Sequence, residues 1–140
     1  MTPHPPIEFV AGDDWEIVAT LLDENGFPYN LTQSPVVKWR LVASSGLAVI
    51  GDEAIITFPD ALHGVCSVVI QAHVTSSVVG GHYTDALRLV MGGETGTLLM
   101  GQVNVIGDPW LLPEQQTLKL VGSEMPRIPY RDVKHLTARR

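Results

Sequence analysis

Cysteine, charge and aromatic side chains are all scarce in this 140-residue chain. Each scarcity closes off a class of protein. The lone thiol, Cys66, cannot form an internal disulfide or build a Cys₄ or Cys₂His₂ metal centre, so nothing demands an oxidising compartment. Charged residues make up 17% of the chain, below the roughly 25% of an average soluble domain. With 45% hydrophobic residues, surplus apolar surface is expected to be buried against other chains. Nine Lys and Arg face fifteen Asp and Glu, for a formal charge of −6. That balance argues against a nucleic-acid partner, because phosphate contacts need clustered cations. No stretch approaches the ~18 consecutive apolar residues of a membrane span, so no membrane partner is expected. Met1-Thr2-Pro3-His4-Pro5-Pro6 also lacks the basic-then-apolar layout of a secretory signal, and the chain is expected to be soluble as made.

What charge there is lies unevenly. Residues 1–106 hold three basic groups, Lys38, Arg40 and Arg88, against eleven acidic ones, a net of −8; residues 107–140 hold six against four, a net of +2. Gly107-Asp108-Pro109 punctuates the boundary. The expected organisation is an acidic body, residues 1–106, and a mildly basic, extended C-terminal arm, residues 107–140.

Within the body, apolar residues alternate with period two, the mark of strands with one buried face. Trp15, Ile17, Ala19 and Leu21 share one side of Asp14–Leu22, and Val37, Trp39 and Leu41 one side of Val36–Ala43. Further strands are expected at Ile7–Val10, Phe27–Tyr29, Ala48–Ile50, Ala54–Phe58, Val65–His73, His82–Met91 and Thr97–Ile106. Asp60–His63 could form one helical turn. Asn25-Gly26 predicts a hairpin turn with positive φ at both central residues. Gly92–Gly96 reads as a glycine-rich turn. Short strands at this spacing describe an all-β, antiparallel immunoglobulin-like β-sandwich.

The arm differs in kind. Four prolines interrupt it, and only Glu114–Val121 could hold a strand or short helix, yet it keeps Trp110, Leu111, Leu112, Leu118, Leu120, Ile128 and Tyr130. A disordered tail is normally poor in such residues, so these are the expected protein-interface anchors. Fully extended, the arm would reach roughly 110 Å, enough to cross a neighbouring subunit.

No constellation carries catalysis. The histidines at 4, 63, 73, 82 and 135 are not spaced as a ligand pair, and Asp13-Asp14 and Asp23-Glu24-Asn25 lack calcium-loop spacing. Cys66 with His63 or His73, or Ser67 with His82 and Asp85, could be written as nucleophile and base, but no glycine elbow exposes Cys66 or Ser67. Gly80-Gly81 and Gly92-Gly93 open no helix that would cradle a phosphate. No enzymatic activity, metal or cofactor is expected. Tyr83 reads as a corner tyrosine donating its hydroxyl to backbone, and Asn30-Leu31-Thr32 as turn chemistry.

Several segments occur together in a recognisable pattern: Phe9-Val10-Ala11-Gly12-Asp13-Asp14-Trp15, Asp23-Glu24-Asn25-Gly26, Asn30-Leu31-Thr32, Val37-Lys38-Trp39-Arg40-Leu41, Gly81-His82-Tyr83-Thr84-Asp85-Ala86-Leu87-Arg88-Leu89 and Gly101-Gln102-Val103-Asn104-Val105. Over most of the body this resembles the small immunoglobulin-like structural proteins of tailed bacteriophages, including the N-terminal attachment domain of baseplate upper proteins. The resemblance implies a virion component, assembled in the host cytoplasm, whose partners are other virion structural proteins and, in the particle, copies of itself. It carries over no catalytic residue. The arm stands where a fibre or receptor-binding part would follow, which favours an adaptor of the tail, baseplate or neck. A capsid decoration protein and a carbohydrate-binding or adhesion module are the alternatives.

Overall fold

Strand alternation is realised as two packed sheets. The computed structural model describes residues 1–110 and 131–140. Its strands are β1 (Thr2–Val10), β2 (Asp14–Leu22), β3 (Val36–Ala43), β4 (Ala48–Ile50), β5 (Ile55–Asp60), β6 (Val65–Ile70), β7 (Gly81–Met91), β8 (Glu94–Ile106) and β9 (Arg131–Arg139). A 3₁₀ turn at Ala61–His63 and a four-residue helix α1 (Ala72–Thr75) complete the regular structure of the described residues. The inward residues of β2 and β3, among them Trp15, Ile17, Leu21, Trp39 and Leu41, are all buried. Trp15 stacks on Phe9 of β1, ring centroids 4.8 Å apart, and its indole N–H donates to the Val10 carbonyl at 2.8 Å. The largest aromatic of β2 thus joins the two sheets with its polar atom satisfied.

One sheet has the order β1-β8-β7-β3-β4 and the other β5-β6-β2-β9. Immunoglobulin-like sandwiches set strands A-B-E-D against C-F-G; here β9-β2-β6-β5 and β3-β7-β8 fill those places. The all-β sandwich is as expected, but its sheets are mixed. β1 runs parallel to β8 and β9 parallel to β2, while the remaining ladders are antiparallel.

The last ten residues therefore require a correction. Arg131–Arg139 belongs to the body, pairing residue for residue with Asp14–Leu22. The cause is the path of β1. Having joined β8 in the other sheet, β1 leaves one side of β2 without a neighbour, and a strand carrying the buried Trp15, Ile17, Ala19 and Leu21 needs one. β9 takes that place, burying Ala138 completely. Two of the basic residues counted with the arm meet the body's own acids: Arg131 lies 3.6 Å from Glu16 and Arg140 pairs with Glu94.

Smaller differences have local reasons. Phe27–Tyr29 contributes only a single bridge, Leu22 to Pro28, consistent with a residue that has no N–H to donate. In the Asp23–Phe27 turn only Gly26 has positive φ, +83°, because the Asp23 carboxylate accepts from the N–H groups of Asn25 and Phe27 and organises the loop. The hairpin with two positive-φ residues is instead Gly92-Gly93. The segment expected to extend β6 to His73 turns at Gln71 into α1, whose Ala72 N–H donates to Asp14 Oδ1 at 2.7 Å. Tyr83 donates its hydroxyl to the Val79 carbonyl, as the corner role requires, and Asn30 Oδ1 accepts from the Thr32 N–H at 3.0 Å.

Candidate functional site

The side chains that could have been written as nucleophile and base are kept apart. Cys66 and Ser67 are neighbours on β6, so they point to opposite faces of their sheet. Cys66 sits in the core, where burial pushes its thiol pKa up to about 12 against the effect of a backbone hydrogen bond at Ala19. Ser67 donates to Glu16 Oε2 at 2.6 Å. His82 and Asp85 lie in the other sheet, three residues apart on β7 and hence on opposite faces. His63 is an exposed partner of Asp60, 2.9 Å away. Among the described residues no three of His, Cys, Asp and Glu converge on a point that could hold a metal ion.

One polar cluster does form, around a histidine that spacing alone did not single out. Asp85 is buried on the inner face of β7. Its Oδ1 lies 2.6 Å from His4 Nε2, and its Oδ2 accepts from the Trp39 indole N–H at 3.0 Å. The other ring nitrogen of His4, Nδ1, lies 2.7 Å from the Pro5 carbonyl. A carboxylate and a carbonyl are both acceptors, so a ring that satisfies both carries two protons. Burial pulls the His4 pKa down; the hydrogen bonds to Asp85 and Pro5, with the Asp85 charge, outweigh it and leave the pKa above its ordinary value. Space for the ring comes from Gly101 on β8, where a Cβ would overlap the His4 imidazole. The cluster fastens β1, β7 and β3 together. The His4 and Asp85 side chains are almost wholly buried and no buried side-chain polar atom among the described residues lacks a partner.

Of the expected interface anchors, Trp110 is described. It is 60% exposed, and its N–H donates to Asp108 Oδ1 at 2.9 Å. Leu111, Leu112, Leu118, Leu120, Ile128 and Tyr130 lie outside the described residues. What the structure does fix is where their segment starts and returns. Ile106, the end of β8, pairs with Val10, and its carbonyl accepts from the Ala11 N–H at 2.9 Å. Arg131, the start of β9, pairs with Asp14. Val10 and Asp14 flank a tight turn closed by the Asp13 N–H on the Val10 carbonyl. Two strand spacings and one turn put Ile106 and Arg131 at most roughly 20 Å apart, a gap that about seven extended residues bridge. The chain uses 24, residues 107–130. Alternation could not have revealed this, because it depended on finding β9.

No family model and no curated protein matches the chain. Among solved structures it is similar to the N-terminal domain of phage TP901-1 ORF48, with a TM-score of 0.46 and 18% identity over 72% of this chain and 84% of that one. It is also similar to phospholipase PlaB from Legionella pneumophila, TM-score 0.42 and 8% identity, covering 91% of this chain and 25% of the phospholipase. A third is a mercury-inhibited catechol 1,2-dioxygenase from Acinetobacter sp. ADP1, TM-score 0.32 and 13% identity, covering all of this chain and 60% of that one.

Proposed function

We propose that this chain is a structural component of a bacteriophage particle, an adaptor of the tail, baseplate or neck region that docks neighbouring subunits. Its interface anchors are Trp110, Leu111, Leu112, Leu118, Leu120, Ile128 and Tyr130. The reading is supported by the segment motifs of the sequence, which resemble phage immunoglobulin-like structural proteins. The observation that carries it is the length and content of the β8–β9 connection. It is more than three times as long as its gap demands, it is unusually long for a compact domain, and it is rich in the large apolar residues that anchor interfaces. Because β9 returns to its own sheet, the docking element is a loop tethered at both ends, with no dangling arm. Tethering lowers the entropy lost on docking.

The test keeps β9 and removes the excess. With residues 111–130 replaced by a short Gly/Ser linker, the chain should fold with a melting temperature within a few degrees of the parent and fail to enter particles in a complementation assay. Normal incorporation of that variant refutes the docking loop. Particle imaging of the tagged parent chain separates a tail, baseplate or neck station from one on the capsid surface.

A further inference from the structure

We infer that the outer face of the five-stranded sheet packs against the same face of a second copy of this chain, about a two-fold axis. The three cations of the first 106 residues all stand on this face. Lys38 and Arg40 are the outward residues of β3, and Arg88 the outward residue of β7 directly opposite Lys38 in the ladder. Like charges placed opposite each other across strands are destabilising, and here only one loosely placed acid relieves them among the described residues. Asp52, three-quarters exposed, approaches Lys38 at 3.9 Å and Arg40 at 3.8 Å, contacts of little worth in solvent, and Arg88 has no ion pair among the described residues. The cations of β9 and its end are treated differently. Arg131 meets Glu16, Lys134 meets Asp132 at 3.1 Å, Arg139 donates to the Glu24 carbonyl at 2.7 Å and Arg140 meets Glu94.

The complement stands on the same face at the opposite corner. Glu8 is exposed on β1, pairs in register with Asn104, and has no ion pair among the described residues. Asn104 is in turn opposite His82, six residues along β7 from Arg88. With strands ~4.8 Å apart and ~3.3 Å per residue, Glu8 and Lys38 are separated by roughly 25 Å on the diagonal. An interface axis in the plane of the face and perpendicular to that diagonal brings Glu8 of each copy onto Lys38 and Arg88 of the other. Each copy then supplies both halves of a reciprocal contact, as a two-fold interface requires. Between the corners lie Ala86 and Met100, opposite each other in the ladder, and Val36 flanks the cations; Met100 is 36% and Val36 48% exposed. A face of five strands, about 24 Å by about 26 Å, buries on the order of 1,200 Å² between two copies, at the lower end of specific interfaces. An acidic body that repels its own kind elsewhere makes the match orienting as well as attractive.

The inference deepens the reading of a subunit-docking protein by naming one partner. The experiment is sedimentation of the full chain at low and high ionic strength, with Lys38→Glu/Arg88→Glu and Glu8→Lys as surface variants. Wild type should dimerise, more weakly at high salt, and each variant alone should weaken the dimer by on the order of a hundredfold, the loss of two reciprocal charge contacts. Mixing the two variants should restore a dimer of one of each, because both contacts are then oppositely charged again. A wild type monomeric at every concentration, variants that dimerise unchanged, a mixture that stays monomeric, or open-ended oligomers overturn the two-fold face. A monomer that still needs residues 111–130 to enter particles overturns it while leaving the docking loop standing.

Discussion

A histidine whose two ring nitrogens both face acceptors makes the fold sensitive to its proton. The groups around His4 are few. β7 presents Asp85, β3 only the Trp39 indole and β8 only Gly101 and apolar neighbours, while on β9 Lys134 is engaged by Asp132 and lies over the Phe9 ring, and the Arg139 guanidinium donates to the Glu24 carbonyl. Since the folded pKa of His4 is raised above its ordinary 6.5, its contribution is fully present below that value and is lost as pH rises through the folded pKa. Urea denaturation should show stability falling as the pH rises above 6.5, and a His4→Gln variant should lack that slope. Asp85→Ala should cost about 3–5 kcal/mol, as breaking a buried pair does. A pH profile of His4→Gln that parallels wild type would count against the ion pair. The cluster was hidden from the sequence because two prolines and a register break between His4 and Ile7 interrupt the alternation of β1.

At the scale of elements, β9 decides whether the sandwich is closed. Deleting residues 131–140 removes the ladder along all of β2 and the burial of Leu136 and Ala138. Net hydrogen-bond and apolar terms put the loss at about 3–5 kcal/mol, a large fraction of a domain's stability. The truncated chain should melt far below the parent or aggregate through the exposed edge; an unchanged melting curve would show β9 to be dispensable. β2 and β3 were legible to the residue because their inward faces are wholly apolar while polar residues recur on the other side, and β4 as a short apolar run between turns. β9 was not, because an edge strand buries little. Its inward side carries Asp132 and Lys134, neutralised by each other, ahead of Leu136 and Ala138, so no period of two shows. Similarly, β1 begins within Thr2-Pro3-His4-Pro5-Pro6, which only an edge strand tolerates. The core and the glycine turn between β7 and β8 could be read from pattern; the two parallel edge strands, set by long-range pairing, could not.

At the scale of the whole molecule, β1 and β9 complete the sandwich, each as an edge strand of its sheet. Sequence composition set apart the apolar, proline-broken stretch that carries Trp110 through Tyr130, but without β9 it could not show that the chain beyond that stretch returns to the body's own sheet. The two proposals assign the surplus of apolar residues and the shortage of charge to two docking surfaces, the β8–β9 connection and the cationic sheet face. The most direct measurement of the loop's role is amide hydrogen exchange on the chain free in solution and within assembled particles. Residues 107–130 should slow by tenfold or more on assembly while the amides of β2 and β9 are protected in both states. Equal exchange of residues 107–130 in the two states would contradict docking through the loop.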